Sequence, residues 1–217
     1  GKEDSQFVEI AGIVRSVHLD EPSQYHLIEI ATGGGRLSVY ARQLPVKQTE
    51  ELIDSTVRVR GVCSTQFNHQ RQLFAIRLMV PRPEDLLVEQ RAAADGFAVP
   101  TRTMGSLLQF APQEAFGHRV KVAGTVSYHE AGQSMFLQAG DQGVEVQSRG
   151  KETFALGDRV EVLGFVGQGE YTPLLQDAVI RKMSSGPVIE PLRVTPDEAL
   201  KGRYDCRLIQ LSVKLLD

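Results

Sequence analysis

Apolar and polar residues alternate with a period of two along several short stretches of this chain, the pattern of strands that bury one face. In Thr56-Val57-Arg58-Val59-Arg60-Gly61-Val62-Cys63, Val57, Val59 and Cys63 fall on one side and Thr56, Arg58 and Arg60 on the other. The same reading predicts five strands at roughly 7–17, 25–31, 36–41, 56–64 and 72–80. Thr32-Gly33-Gly34-Gly35 is the expected turn between the second and third, because glycine takes positive φ without steric cost. A short helix around Val46–Ile53 is expected before the fourth strand, with Thr49 as cap and Glu50 and Glu51 in its first turn.

The pattern then recurs. Phe7-Val8-Glu9-Ile10-Ala11-Gly12 matches Arg119-Val120-Lys121-Val122-Ala123-Gly124, and Val57-Arg58-Val59-Arg60-Gly61 matches Val160-Glu161-Val162-Leu163-Gly164. The second set of strands falls at roughly 118–128, 134–138, 143–147, 158–166 and 171–182, with Asp141-Gln142-Gly143 as its hairpin. A third copy opens near the end: Gly202–Asp205 and Leu208–Leu211 align with Gly1–Asp4 and Phe7–Ile10 at a constant offset of 201. Three strands, a short helix or loop, then two strands is the order of the OB-fold, a small Greek-key barrel. The expected fold is all-β with short helices, two tandem OB-like five-stranded β-barrels. Strand counting leaves another small barrel or sandwich open.

The expected domains are a first barrel with a C-terminal extension (1–97), a linker with a short helix (98–117), a second barrel (118–186), and a linker helix with the first strand of a truncated third repeat (187–217). Pro83–Glu89 is expected to extend the last strand of the first barrel as an edge, and Ala92–Gly96 to be an exposed loop. Thr103–Phe110 reads as a helix capped by Thr103 that buries Met104, Leu107 and Leu108. Thr195-Pro196-Asp197-Glu198 is a cleaner helix start, with glycine after the end at Gly202.

Composition changes the picture in one respect. Lys and Arg number 24 against 27 Asp and Glu, a net charge of −3. Binding nucleic acid by bulk positive charge needs clustered bases, so nucleic acid is expected to be an unlikely partner. No stretch approaches the ~20 apolar residues of a membrane helix. The start at Gly1 and the end just past an apolar run read as a fragment of a longer protein.

Catalytic patterns fail on spacing. His129-Glu130-Ala131-Gly132-Gln133 has Gln where a zinc-protease motif needs its second histidine. His18 and His26 flank an acidic turn, but a metal would require strands to converge, and surface histidines are the simpler reading. Gly33–Gly35 is followed at once by a strand, which excludes a phosphate loop, and Ser184-Ser185-Gly186 is no nucleophile elbow. Cys63 points inward by parity and Cys206 precedes the last strand, a poor arrangement for a disulfide. No catalytic residue, metal site or cofactor is assigned.

A binding surface remains. OB barrels take ligands on their second and third strands, flanked by the loops after strands one and four. That makes Arg36, Ser38 and Tyr40 candidate ligand-binding residues on strand three, with Phe67, Asn68, His69 and Arg71 in the loop after strand four. Arg, Tyr and Phe together suit stacking on bases or aromatic ligands. The alternative is Phe67 tucked on the barrel rim and Arg36 merely solvated. The second unit offers Glu145 and Gln147 there, an acidic face expected to lack aromatics.

The strings GKEDSQFVEIAGIVRSVH, VRVRGVCSTQFNHQRQL, GDRVEVLGFVGQGEYTPLLQDAVIRK and VTPDEAL stand in order. They resemble the OB-like repeat region in the extracytoplasmic part of bacterial membrane-bound sensor histidine kinases, across nearly the whole chain. The resemblance implies a periplasmic or extracytoplasmic sensor region in a two-component signalling protein, anchored by transmembrane segments outside this sequence. It further implies a small ligand or protein partner and a homodimer. The family's phosphoacceptor histidine and ATP-binding motifs have no counterpart here, so the expected fragment is not an enzyme. The other readings are an OB-type single-stranded nucleic-acid-binding module and an accessory region of an extracellular nuclease.

Overall fold

The computed structural model describes residues 5–33, 35–46, 49–67, 70, 73–108, 117–169 and 171–214, in two compact units, Gly1–Ala94 and Asp95–Asp217. The first unit contains β1 (Phe7–Asp20), β2 (Tyr25–Thr32), β3 (Gly35–Ala41), β4 (Thr56–Phe67), β5 (Leu73–Val80) and β6 (Leu86–Gln90). β1, β2 and β3 form an antiparallel meander, β3 pairs parallel with β5, and β5 pairs antiparallel with β4. β4 then pairs with the first half of β1, which closes the barrel.

β1 serves both sides of that closure. Residues Phe7–Ile13 pair with β4 and Ile13–Asp20 with β2, with a register shift between Val14 and Ser16. Gly12 sits at this crossing, where an added Cβ would lie 2.2 Å from the Ala31 carbonyl oxygen. Only glycine lets the two backbones approach so closely. Inside, Val14, Ile28, Ile30, Val39, Val57, Val59 and Leu78 form a core almost free of solvent exposure. Each such side chain contributes about 1.5–3 kcal/mol relative to an exposed one.

The second unit repeats the pairing. It contains β7 (Thr101–Arg102), α1 (Met104–Leu108), β8 (Arg119–Glu130), β9 (Ser134–Ala139), β10 (Gln142–Gln147), β11 (Arg159–Gly167) and β12 (Leu174–Ser184). β8, β9 and β10 form the meander, β10 meets β12 in parallel at Val146 and Leu175, and β11 joins β12 to β8. The chain is therefore an all-β protein of tandem OB-like barrels. The match extends to single hydrogen bonds before the fourth strand of each barrel. Val14 donates to Ser55 and Asp54 to Val14, while Val126 donates to Asp158 and Gly157 to Val126.

Several expectations are corrected. Residues 83–89 do not extend β5. Pro83 opens a 3-10 turn, pinned where Arg82 binds the buried Asp85 carboxylate, and β6 then pairs with β4. The predicted helix at 46–53 is a 3-10 turn at Thr49–Leu52 that buries Leu52, with residues 47 and 48 outside the described ones. The second hairpin turns at Gly140, in left-handed φ, so Gln142 and Gly143 belong to β10. Residues 92–95 carry no helix or strand, and a 3-10 turn capped by Asp95 follows at Gly96–Ala98. α1 buries Met104 and Leu107, while the Leu108 side chain and residues 109–116 lie outside the described ones. α2 (Pro196–Ala199) has the anticipated cap at Thr195, which the structure completes as a capping box with Glu198. In the stretch expected to open a third repeat, the structure has only a short parallel pair, β13 (Leu192–Arg193) with β14 (Ile209–Gln210).

Candidate functional site

Val39 and Ala41 point into the first core, so Arg36, Ser38, Tyr40 and Arg42 share the outer side of the hairpin. Across the ladder, Ser38 faces Glu29 on β2 and Arg77 on β5, and Tyr40 faces Leu27 and Met79. The Arg77 guanidinium lies over the Tyr40 ring at 5.6 Å, and that of Arg42 over Tyr25 at 5.1 Å. The two stacks sit on one sheet face. Arg77 Nε is buried without a hydrogen-bond partner among the described residues. Neither Arg42 nor Arg77 pairs with a carboxylate among the described residues.

A groove of about 770 Å³ runs beside the hairpin tip, bordered by Ile10, Thr32, Arg36, Ser38, Ala75 and Ile76. Arg36 at its mouth leans on Glu29 at 3.8 Å, a partly exposed contact of small energetic weight. The structure thus brings Arg36 and Ser38 into one groove and sets Tyr40 under Arg77. The Phe67 side chain and residues Asn68, His69 and Arg71 lie outside the described ones. Tyr25, Arg42 and Arg77 were missed in sequence. Parity would have found Tyr25 and Arg42, but Arg77 joins the face only through the parallel β3–β5 pairing.

The opposite wall of this barrel is neutralised internally. Glu9 accepts hydrogen bonds from Arg58 and Arg60, and Arg58 also reaches Glu89. The Arg60 and Arg58 guanidinium groups hold the Glu9 carboxyl below its ordinary pKa. In the second barrel the ladder is Lys121, Glu161 and Arg181, and the hydrogen bond from Arg181 leads the lowering of the Glu161 pKa.

The face of β9 and β10 differs. Phe136 packs edge-on against Tyr128 at 5.9 Å beside Glu145, which corrects the expectation of a face without aromatics. The chain itself runs over this surface. The Cys206 carbonyl oxygen lies 2.0 Å from where a Cβ on Gly143 would stand, and Leu208 N–H donates to Gln138 Oε1 at 3.2 Å. Both cysteines are free thiols, Cys63 buried and Cys206 half-buried. Among the described residues no cluster of three His, Cys, Asp or Glu side chains could hold a metal.

No family model matches the chain, and no curated protein matches it. Solved structures do. The HINa domain of Ifi202 in complex with 20bp dsDNA is 14% identical over 82% of this chain and 96% of that one, with a TM-score of 0.32. The tetrameric p202 HIN2 is 8% identical over 82% and 94%, with a TM-score of 0.33. The single-stranded DNA binding protein from Thermus aquaticus is 10% identical over 85% and 95%, with a TM-score of 0.28. Chains solved on DNA are among these matches. The expectation that nucleic acid is an unlikely partner is corrected, because the outer face of β2, β3 and β5 carries Arg36, Arg42 and Arg77 beside two tyrosines. The physical flaw was to argue from net charge, because recognition responds to the charge of one face.

Proposed function

We propose that the chain is a non-catalytic binding module whose first barrel takes single-stranded nucleic acid on the outer face of β2, β3 and β5. One observation carries the reading: two Arg–Tyr stacks, Arg42 on Tyr25 and Arg77 on Tyr40, stand on that face with no carboxylate partner among the described residues. Guanidinium groups neutralise phosphates and stack on bases, and tyrosine rings offer a platform to any unpaired base. Arg36 and Ser38 add a charge and a hydroxyl at the hairpin end. With so few cations, the expected affinity is modest and its salt dependence shallow.

Anisotropy of a labelled oligothymidylate at low salt tests this. Tyr40→Ala and Arg77→Ala should each weaken binding by about 5- to 100-fold, the range of one lost base stack. Glu145→Ala on the second barrel should leave it unchanged. No binding by the native chain at low salt would end the reading.

A second reading is the extracytoplasmic sensor region of a sensor histidine kinase, supported by the resemblance of the quoted strings and by a second barrel whose face holds polypeptide. It predicts a membrane helix and kinase motifs downstream in the full-length gene; a gene without them removes it.

A further inference from the structure

The face of β9 and β10 occupies the place in the second barrel that the Arg–Tyr face occupies in the first. We propose that it is a peptide-docking site whose resident ligand is the chain's own segment Tyr204–Leu208, the lead-in of the following repeat.

Contacts to three elements support it. On β10, Gly143 lies inside the strand and not at the turn, and its missing side chain is the space filled by the Cys206 carbonyl. From β9, Gln138 Oε1 accepts the Leu208 N–H at 3.2 Å. In the loop between β11 and β12, Thr172 donates its hydroxyl to Asp205 Oδ2 at 2.5 Å and lies 3.6 Å from Cys206 Sγ. The β9–β10 surface and this loop are the two sides of an OB barrel's ligand cleft.

The segment is shaped for the seat. Cys206 takes φ of 56°, a left-handed conformation that persists in a non-glycine residue only where surroundings enforce it. Arg203 and Arg207 both stack on Tyr204, and β14 begins immediately after Leu208, pairing with β13. Burial raises the Cys206 thiol pKa, as expected of a docked and not a freely solvated stretch. The alignment of Gly202–Asp205 with Gly1–Asp4 marks the stretch as the start of a repeat.

Thiol labelling of the full-length chain tests the proposal, with Cys206 as reporter and buried Cys63 as internal reference. Gly143→Val places a side chain against the Cys206 carbonyl and should raise the Cys206 labelling rate by at least about tenfold while Cys63 stays protected. Thr172→Val leaves β10 untouched, so it decides the matter if Gly143→Val fails to fold; a rise of about threefold is expected. A fluorescent peptide of residues 201–212 should bind the full chain carrying Asp205→Ala and Leu208→Pro, and lose that binding when Gly143→Val is added. Labelling of native Cys206 as fast as in folded variants would overturn the proposal, as would a peptide that binds both chains or neither. No oligonucleotide enters these measurements, so their failure is separate from failure of the nucleic-acid reading.

Discussion

The two barrels share strand order, closure and the hydrogen bonds before the fourth strand, yet differ in the polar side chains set on that frame. Ser55 and Asp158 occupy one site. Ser55 donates to the Glu51 carbonyl and accepts from Ala92 N–H, whereas Asp158 accepts from Ala155 N–H, Lys182 and Ser185. One residue earlier, Asp54 and Gly157 both take left-handed φ, 72° and 88°. The ligand faces diverge most, Arg–Tyr stacks on one and a docked segment on the other. Core burial and close backbone crossings constrain the repeat, while outward residues are free to diverge and so carry what distinguishes the barrels.

The largest effects should be equal across the repeat. Ile30 and Leu137 are both fully buried and both stand on the second strand, facing Val14 and Val126. Ile30→Ala and Leu137→Ala should each cost their barrel about 2–5 kcal/mol in urea unfolding. A large loss in only one would show that the cores are not equivalent.

The paired crossing glycines should then separate the barrels. In Gly12→Ala the new methyl meets the Ala31 carbonyl oxygen at 2.2 Å, while in Gly124→Ala it meets the terminal methyl of Met104 at 2.6 Å. Backbone cannot yield as a methionine end can, so the first should cost about 3 kcal/mol and the second about 1 kcal/mol or less. Equal losses in the same unfolding measurement would refute the contrast.

A smaller, pH-dependent effect belongs to the buried Asp158 of the second barrel. The Lys182 ammonium, with the Ala155 N–H and the Ser185 hydroxyl, holds Asp158 below the ordinary aspartate pKa. A folded-state pKa lowered in this way stabilises above the unfolded value of about 3.9 and loses that contribution as pH falls through the folded one. Asp158→Asn should therefore lower the melting temperature of the second barrel at neutral pH, with the variant and native curves converging in acid. A pH-independent gap would assign the loss to hydrogen-bond geometry instead of charge.

Much of the frame was legible before the structure. The period-two runs located the barrel strands, since alternation is local, and of the matched glycines Gly12 and Gly61 proved to be close backbone approaches. Pro83–Glu89 was misread because the turn that redirects it depends on Arg82 meeting a buried Asp85. Gly143 was misread as a turn residue because the reason for its glycine, the Cys206 carbonyl, lies far along the chain. Of the candidate site, parity placed Arg36, Ser38 and Tyr40 on the outward side of β3, where the structure has them.

The sequence by itself determined two repeated barrels and the inward and outward parity of their strands, because burial on one side of a strand writes a short-range pattern. Only the tertiary structure decided that Arg77 lies over Tyr40 and that Tyr204–Leu208 fills the face of the second barrel. Both depend on closure and docking between residues distant in the chain, and no local periodicity encodes such a meeting.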